Sequence, residues 1–297
     1  MYSIVRISDG LGNQMFQYAF AKKLQSIGMS EVYLDIRYIN NEDGANHNEL
    51  VKFNHRREYG LSHFKTSLPI ADERMLARWD YIAAQSGVKG FVCKLAQNGL
   101  WPWQYRDEYV DRSKKRESAI DTYGKNIFPQ YFRGYYFDLR YYDDIKAILQ
   151  KEFRLRVPLK LPRELRKRLL YDQTVSIHIR RGDYQKMHWD ISRKPYYPKA
   201  VEKMNKMVGD PVFLLFSDDI EWVKKNMEID GRKIYVSDQG LKDYEEFAIM
   251  EHCKHHIIAN STFSYWAAYL NMHTDKIVIY PRRWRRSEII PPKWIGI

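Results

Sequence analysis

Apolar residues recur along this chain in two alternating periods. Ser3–Ser8 is a short run rich in Ile and Val, the pattern of a buried strand. Asp9-Gly10-Leu11-Gly12-Asn13-Gln14 reads as a glycine-punctuated turn. After it Met15, Phe16, Ala19, Phe20 and Leu24 fall at helical spacing, with Gly28 as a stop signal. Glu31–Ile39 returns to strand, so the segment predicts strand–turn–helix–strand, the unit of a parallel sheet. Periodicity is weak over residues 40–130, where helices and long loops are expected. Tyr141–Phe153 sets Ile145, Ile148, Leu149 and Phe153 on one helical face.

Arg156-Val157-Pro158-Leu159-Lys160-Leu161-Pro162 predicts a linker, because its two prolines resist helix and interior strand alike. The alternation then restarts. Leu165–Leu170, Pro198–Val208, Ile220–Asn226, Tyr244–Cys253 and Phe263–Leu270 read as helices. Thr174–Ile179, Val212–Phe216, Lys233–Val236, His256–Ala259 and Lys276–Tyr280 read as strands. Five short strands alternating with helices predict a doubly wound α/β domain. The layout is two α/β lobes, residues 1–157 and 158–297, with a ligand expected in a cleft between them.

Composition narrows the classes. The 297 residues include 8 Trp, 23 Tyr and 13 Phe, enough for a sizeable core, which excludes intrinsic disorder. Two cysteines, Cys93 and Cys253, make neither a disulfide scaffold nor a Cys-rich metal site. No apolar stretch nears the ~20 residues that span a bilayer, and the start lacks a signal pattern. A cytoplasmic protein is expected, peripheral on the inner face of a membrane at most. Lys and Arg number 49 against 37 Asp and Glu, a net +12 that suits nucleic acid, a membrane surface or an anionic substrate.

Ligands of open α/β sheets bind beyond the carboxyl ends of strands. There the sequence places His178-Ile179-Arg180-Arg181-Gly182-Asp183-Tyr184, Ser217-Asp218-Asp219, Asn260-Ser261-Thr262-Phe263-Ser264 and the Gly10–Gln14 turn. A guanidinium grips phosphate oxygens in pairs and keeps its charge at any working pH. Ser261 and Thr262 open a helix, whose free N–H groups favour an anion. Together they suit a pyrophosphate. Asp218 or Asp219 suits the donors of a guanine edge or a ribose hydroxyl. The chain has no Gly-x4-Gly-Lys-Ser/Thr loop, which argues against ATP or GTP hydrolysis. It has no Asp-x-Asp clamp either, so a nucleotide diphosphate held without metal is expected. Each motif alone also reads structurally: a surface ion pair, a helix cap, a tight turn, a hydrogen-bonded histidine. Their joint placement at strand ends carries the functional reading.

Gly10-Leu11-Gly12-Asn13-Gln14-Met15-Phe16-Gln17-Tyr18-Ala19 resembles the N-terminal signature of the α-1,2-fucosyltransferases, glycosyltransferase family 11. His178–Tyr184 resembles that family's HxRRxDY motif. Phe216–Asp219, Ile258–Leu270 and Gly134-Tyr135-Tyr136 with Tyr141-Tyr142 resemble its other blocks, in family order to about Trp284. Asp9 stands where Gly is usual, and Tyr265 where Trp is common. The resemblance implies a GT-B fold with two Rossmann-like lobes facing a central cleft, an acceptor-side lobe over residues 1–157 and a GDP-fucose-binding lobe over residues 158–297. It implies a GDP-β-L-fucose donor, a galactose-terminated oligosaccharide acceptor and metal-independent, inverting transfer, with no cofactor. It implies that Arg180 binds the β-phosphate and stabilises departing GDP while Arg181 braces the motif. His178 and Asp219 are then expected at the guanosine, with Ser217, Asp218, Asn260, Ser261, Thr262 and Phe263 lining the donor pocket. Gly12, Asn13 and Gln14 are expected to approach the donor from the other lobe. Asp183, His188 and Asp190 are the nearest candidates for a base, though Asp183 equally suits pairing with an arginine.

Transfer to another linkage, such as α-1,6, stays open, and the acceptor could be lipid-linked. Nucleic acid is not expected: the positive residues form no repeated RNA-binding motif, and the Arg pair sits beside carboxylates. Arg282-Arg283-Trp284-Arg285-Arg286, with Lys293-Trp294 nearby, reads either as a solvated charge run or as a dock for anionic lipid. Arg56-Arg57 and Lys114-Lys115-Arg116 read as solvated surface.

Overall fold

The computed structural model describes residues 2–28, 31–39, 58–83, 104–108, 130–284 and 287–297. The chain divides into two α/β units. Unit 1 is Met1–Ser62 with Thr66–Glu152, and unit 2 is His63–Lys65 with Phe153–Ile297. Each contains an all-parallel sheet, the composition of a GT-B type fold.

Unit 1 runs β1 (Tyr2–Ser8), α1 (Leu11–Ser26), β2 (Glu31–Tyr38), α2 (Glu73–Ala83), β3 (Gln104–Glu108), β4 (Gln130–Gly134) and α3 (Lys146–Glu152). Its strand order is β2-β1-β4-β3. Ile4, Val5 and Ile7 of β1 are fully buried, which is why this short strand reads as a continuous apolar run. Side chains alternate between faces along a strand. Tyr131 of β4 accordingly packs with Ile4 against Leu76 and Trp79 of α2, while its neighbour Phe132 meets Phe20 of α1. The two helices therefore cover opposite faces.

The helix α1 begins at Leu11, inside the segment that reads as a turn. Gly10 is its N-cap in an extended conformation, and the amides of Asn13 and Gln14 already bond Gly10 O. The predicted helix over Tyr141–Phe153 is shorter. A 3-10 turn at Leu139–Tyr141, capped by the Asp138 carboxylate, precedes α3. Residues 156–162 carry no helix or strand.

Unit 2 runs α4 (Arg163–Tyr171), β5 (Gln173–Ile179), α5 (Gly182–Lys186), α6 (Tyr196–Met207), β6 (Pro211–Ser217) and α7 (Ile220–Asn226). It continues β7 (Arg232–Tyr235), α8 (Asp243–His252), β8 (His255–Ile257), α9 (Thr262–Leu270), β9 (Val278–Tyr280) and β10 (Ile295–Gly296). The sheet order is β10-β9-β8-β5-β6-β7. Its core joins Val175, Ile177 and Ile179 to Tyr197, Met204, Phe213 and Leu215. The short helix α5, the strands β3 and β4 and the two-residue β10 are additions to the predicted set.

Candidate functional site

Strands β5 and β6 pair in register to their ends, with Ile179 opposite Ser217. Arg180-Arg181 and Asp218-Asp219 therefore leave the sheet side by side. From β5 the strands run to β6 and β7 on one side and to β8, β9 and β10 on the other. The β5/β8 boundary is the topological switch point, where open parallel sheets bind ligands.

The two arginines do different work. Arg181 is buried, with its side chain 3% exposed. Its Nε donates to Asp219 Oδ2 at 3.0 Å, its guanidinium to Asp190 Oδ2 at 3.0 Å, Ser192 Oγ at 2.7 Å and Gln185 Oε1 at 3.2 Å. Its guanidinium also lies 3.4 Å over the Trp222 ring, and its backbone N–H donates to Asp218 Oδ1 at 2.9 Å. Arg180 is 32% exposed; it pairs with Asp183 Oδ1 at 2.7 Å and Asp218 Oδ2 at 2.9 Å, and its guanidinium lies 5.5 Å from the Tyr184 ring. A guanidinium has five N–H donors; Arg181 commits four and is buried, whereas Arg180 commits two and is partly exposed, so Arg180 is the one with donors within reach of a ligand. Burial lowers the Arg180 pKa, but Asp218 and Asp183 outweigh it and leave the group more basic than usual.

Gly182 makes this packing feasible, since a Cβ there would lie 2.6 Å from Asp218 Oδ2. The loop after β8 is tied to the motif. Tyr184 donates its hydroxyl to Asn260 O at 3.2 Å, and Asn260 donates to Trp189 O at 2.9 Å. Ser261 caps α9 by accepting from the Phe263 amide. Thr262 starts that helix, and the Phe263 ring lies 5.6 Å from His178. Tyr197 donates to the His178 carbonyl at 2.8 Å. Burial pushes the His178 imidazole down to about 3, with Arg180 adding to it, so the ring is neutral at physiological pH.

Ser217 donates its amide to Ser237 Oγ at 3.0 Å. Ser237 in turn hydrogen-bonds Glu246 of α8. Burial raises the Glu246 carboxyl to about 7; the charges of Asp243 and Asp218 add to the rise and the Ser237 hydrogen bond opposes it. Glu246 is a site residue that sequence reasoning missed. It lies in an acidic stretch that reads as the exposed start of a helix, and only the tertiary fold brings it toward Asp218.

The structure thus gathers His178, Arg180, Arg181, Asp183, Ser217, Asp218, Asp219, Asn260, Ser261, Thr262 and Phe263 at adjoining strand ends of unit 2. Asp183 is committed to Arg180, and Asp190 to Arg181 and the Ser192 amide. His188 is exposed, in the left-handed region at φ +56°. Gly12, Asn13 and Gln14 lie in unit 1, in the first turn of α1. The Gln14 side chain is fully buried, and its amide donates to Asp9 O and Glu58 O at 2.8 and 2.9 Å.

In the C-terminal basic segment, Trp284 and Trp294 pack against Tyr265, and Arg282 donates to Gly296 O. Arg285 and Arg286 lie outside the described residues, as do Arg56-Arg57 and Lys114-Lys115-Arg116. Among the described residues no helix is long and apolar enough to cross a membrane.

The sequence model for glycosyl transferase family 11 matches residues 3–297. The chain is 30% identical to the O-antigen biosynthesis glycosyltransferase WbnK of Escherichia coli, covering all of both chains. It is 28% identical to an α-1,2-colitosyltransferase of Escherichia coli, covering 99% of this chain and 98% of the other. It is 31% identical to galactoside α-(1,2)-fucosyltransferase 1 of Lagothrix lagotricha over 41% of this chain and 38% of the other. Among solved structures, a point mutant of Arabidopsis thaliana FUT1 in complex with GDP matches with a TM-score of 0.53 and 12% identity, covering 95% of this chain and 71% of that one.

Proposed function

Because the chain belongs to glycosyl transferase family 11, we propose that it transfers L-fucose from GDP-β-L-fucose to a galactoside hydroxyl. The linkage formed is α-1,2, with inversion at the anomeric carbon, in the synthesis of a surface glycan such as an O-antigen. The observation that carries this reading is the division between the arginines: Arg181 is buried with four of its donors bonded within the protein, while Arg180 is partly exposed and keeps donors at the switch point.

The donor diphosphate lies against Arg180 and the N-terminus of α9, where a cation and the positive end of a helix dipole meet one anion. Negative charge builds on departing GDP as the fucosyl ring becomes oxocarbenium-like. Fixed donors aimed at that charge stabilise the transition state more than the ground state. No metal is needed for this stabilisation. Asp183 and Asp190 hold the arginines in place in this scheme, and neither is assigned as a base. Neutral His178 and the raised carboxyl of Glu246 flank the nucleoside end.

The test is incubation with labelled GDP-fucose and a β-galactoside, followed by linkage analysis of the product. A 2-O-fucosylated galactoside is expected. No transfer, or a product linked elsewhere such as α-1,6, overturns the reading. The full-length likeness to a colitosyltransferase favours a second reading, colitosyl transfer. Offering GDP-colitose in a parallel reaction separates the two.

A further inference from the structure

Much of the chain's positive charge is concentrated away from the site. Arg154–Tyr171, which takes in the linker and α4, holds seven Lys and Arg against one Glu, six of the chain's net twelve positive charges. Two of these cations are offset locally, Lys167 by Glu164 at 3.3 Å and Arg168 by Asp172 at 2.9 Å. Arg163 and Arg166 are exposed and make no ion pair among the described residues.

Apolar side chains share this surface. An α-helix turns about 100° per residue, so Arg163, Lys167, Leu170 and Tyr171, at i, i+4, i+7 and i+8, form one stripe. Leu165 marks the opposite side of the helix and is only 4% exposed. On the outer stripe Leu170 is 59% exposed and Tyr171 78%. The helix thus buries one apolar side and ends in a second apolar tip, flanked by cations, that none of the described residues covers.

This stripe lies at the far end of the sheet from the arginine pair. Tyr171 precedes β5 and Arg180 follows it, and the seven residues of the strand, at about 3.3 Å each, set them roughly 20 Å apart. A partner on α4 therefore need not cover the ends of β5, β6 and β8.

We propose that the outer face of α4 is a docking surface for an anionic phospholipid bilayer, with Arg163, Arg166 and Lys167 against the headgroups and Leu170 and Tyr171 seated at the headgroup–acyl boundary. The combination selects that partner. Clustered Lys and Arg are drawn to a negatively charged bilayer surface, while an exposed Leu and an amphipathic Tyr favour the boundary beneath it. A nucleic acid would use the cations and leave the leucine unsatisfied. A helix of nine residues lies along such a surface and is far too short to cross it. The surface does not depend on which sugar the chain transfers.

The test is co-sedimentation of the full chain with vesicles of phosphatidylcholine alone and of phosphatidylcholine mixed equally with phosphatidylglycerol. Three variants are compared with wild type: Arg163→Gln/Arg166→Gln/Lys167→Gln, Leu170→Ser/Tyr171→Ser, and Lys199→Gln/Lys203→Gln/Lys206→Gln. The last removes as much charge from exposed positions of α6. Every substituted side chain is exposed, so each variant should melt near wild type. Wild type should bind the vesicles that contain phosphatidylglycerol and not those of phosphatidylcholine alone. The α4 charge variant should bind them about tenfold or more weakly, and Leu170→Ser/Tyr171→Ser about threefold or more weakly. The α6 variant should stay within about twofold, because charges beyond a Debye length from the bilayer are screened. Equal losses in the two charge variants would mean attraction to net charge alone and would overturn the surface. Three other results would do the same: wild type that ignores both kinds of vesicle, Leu170→Ser/Tyr171→Ser that sediments with them as wild type does, or α4 that binds duplex DNA or a second copy of the chain in place of vesicles.

Discussion

Replacing each arginine of the pair by alanine should produce opposite defects. Arg181→Ala removes the shared partner of Asp219 and Asp190, whose side chains are 35% and 17% exposed. Breaking a buried ion pair from one side costs about 3–5 kcal/mol. Partial exposure of Asp219 puts the expected value near the lower end, about 3 kcal/mol. At roughly 2–4 °C per kcal/mol for a unit of this size, the melting temperature of unit 2 falls by roughly 6–12 °C. Arg180→Ala removes a group about a third exposed, which solvent partly screens, but it leaves Asp183 and Asp218 at 12% and 24% exposed. Its stability cost should be about 1–2 kcal/mol, below that of Arg181→Ala. Turnover should instead fall by ~10²–10³, the usual effect of removing one fixed donor at a developing anion. Circular-dichroism melts and GDP-fucose turnover on the same two preparations check both halves. A loss of turnover under about tenfold in Arg180→Ala, or a melt of Arg181→Ala at the wild-type temperature, would refute the assignment.

Other expectations follow from the same geometry. His178 titrates near 3 in the fold and near 6.5 when unfolded, so the unfolded chain binds the extra proton between those values. Stability should fall as pH drops below about 6.5, by up to ~1.4 kcal/mol per pH unit, and His178→Asn should flatten that slope in urea titrations. Glu246 has the opposite sign: its folded pKa of about 7 exceeds the unfolded one, so it costs stability as pH rises from the carboxylate range to 7. Glu246→Gln should therefore melt above wild type at pH 8, with the gap closing toward pH 4.5. Gly182→Ala places a Cβ against Asp218 and should displace that carboxylate from Arg180, with a stability cost of about 1–3 kcal/mol and a loss of turnover beyond tenfold. The ammonium of Lys276 donates to the carbonyls of Ala268, Tyr269 and Asn271 at 2.7, 3.3 and 2.6 Å at the end of α9. Lys276→Met should destabilise unit 2 by about 2–3 kcal/mol in denaturant melts and leave donor affinity unchanged.

Much of unit 2 was legible because its strands are short apolar runs buried on both faces, as in Val212–Phe216, and α9 starts at a recognisable cap, Ser261. The start of α1 was not: glycines at 10 and 12 signal a turn, but Gly10 supplies an extended cap and Gly12 is tolerated in the first turn. Strand β4, Gln130–Gly134, carries only two aromatics among polar residues. Its strand character comes from pairing with β1 and β3, which no local pattern encodes. Of the site, the residue types at the ends of β5, β6 and β8 could be read because parallel sheets put strand ends together. Their pairings could not. The commitment of Asp190 to Arg181 spans nine residues, a helix and a left-handed turn at His188. Glu246 gave no local signal at all.

The web centred on Arg181 has a consequence for how such an enzyme changes its sugar. The side chain and backbone of that one residue fasten the segments after β5 and β6 and the turn at Asp190–Ser192, and the link from Tyr184 to Asn260 adds the segment after β8. If the diphosphate binds there as proposed, it meets walls already fastened by these contacts, so binding need not order them. A nucleotide cradle of this kind is a chassis. It can stay constant while the residues around the hexose drift, and a relative that moves a deoxygenated sugar needs no redesign of the phosphate end. Differences in donor choice within the family should therefore concentrate away from Arg181, on side chains that meet the sugar ring alone.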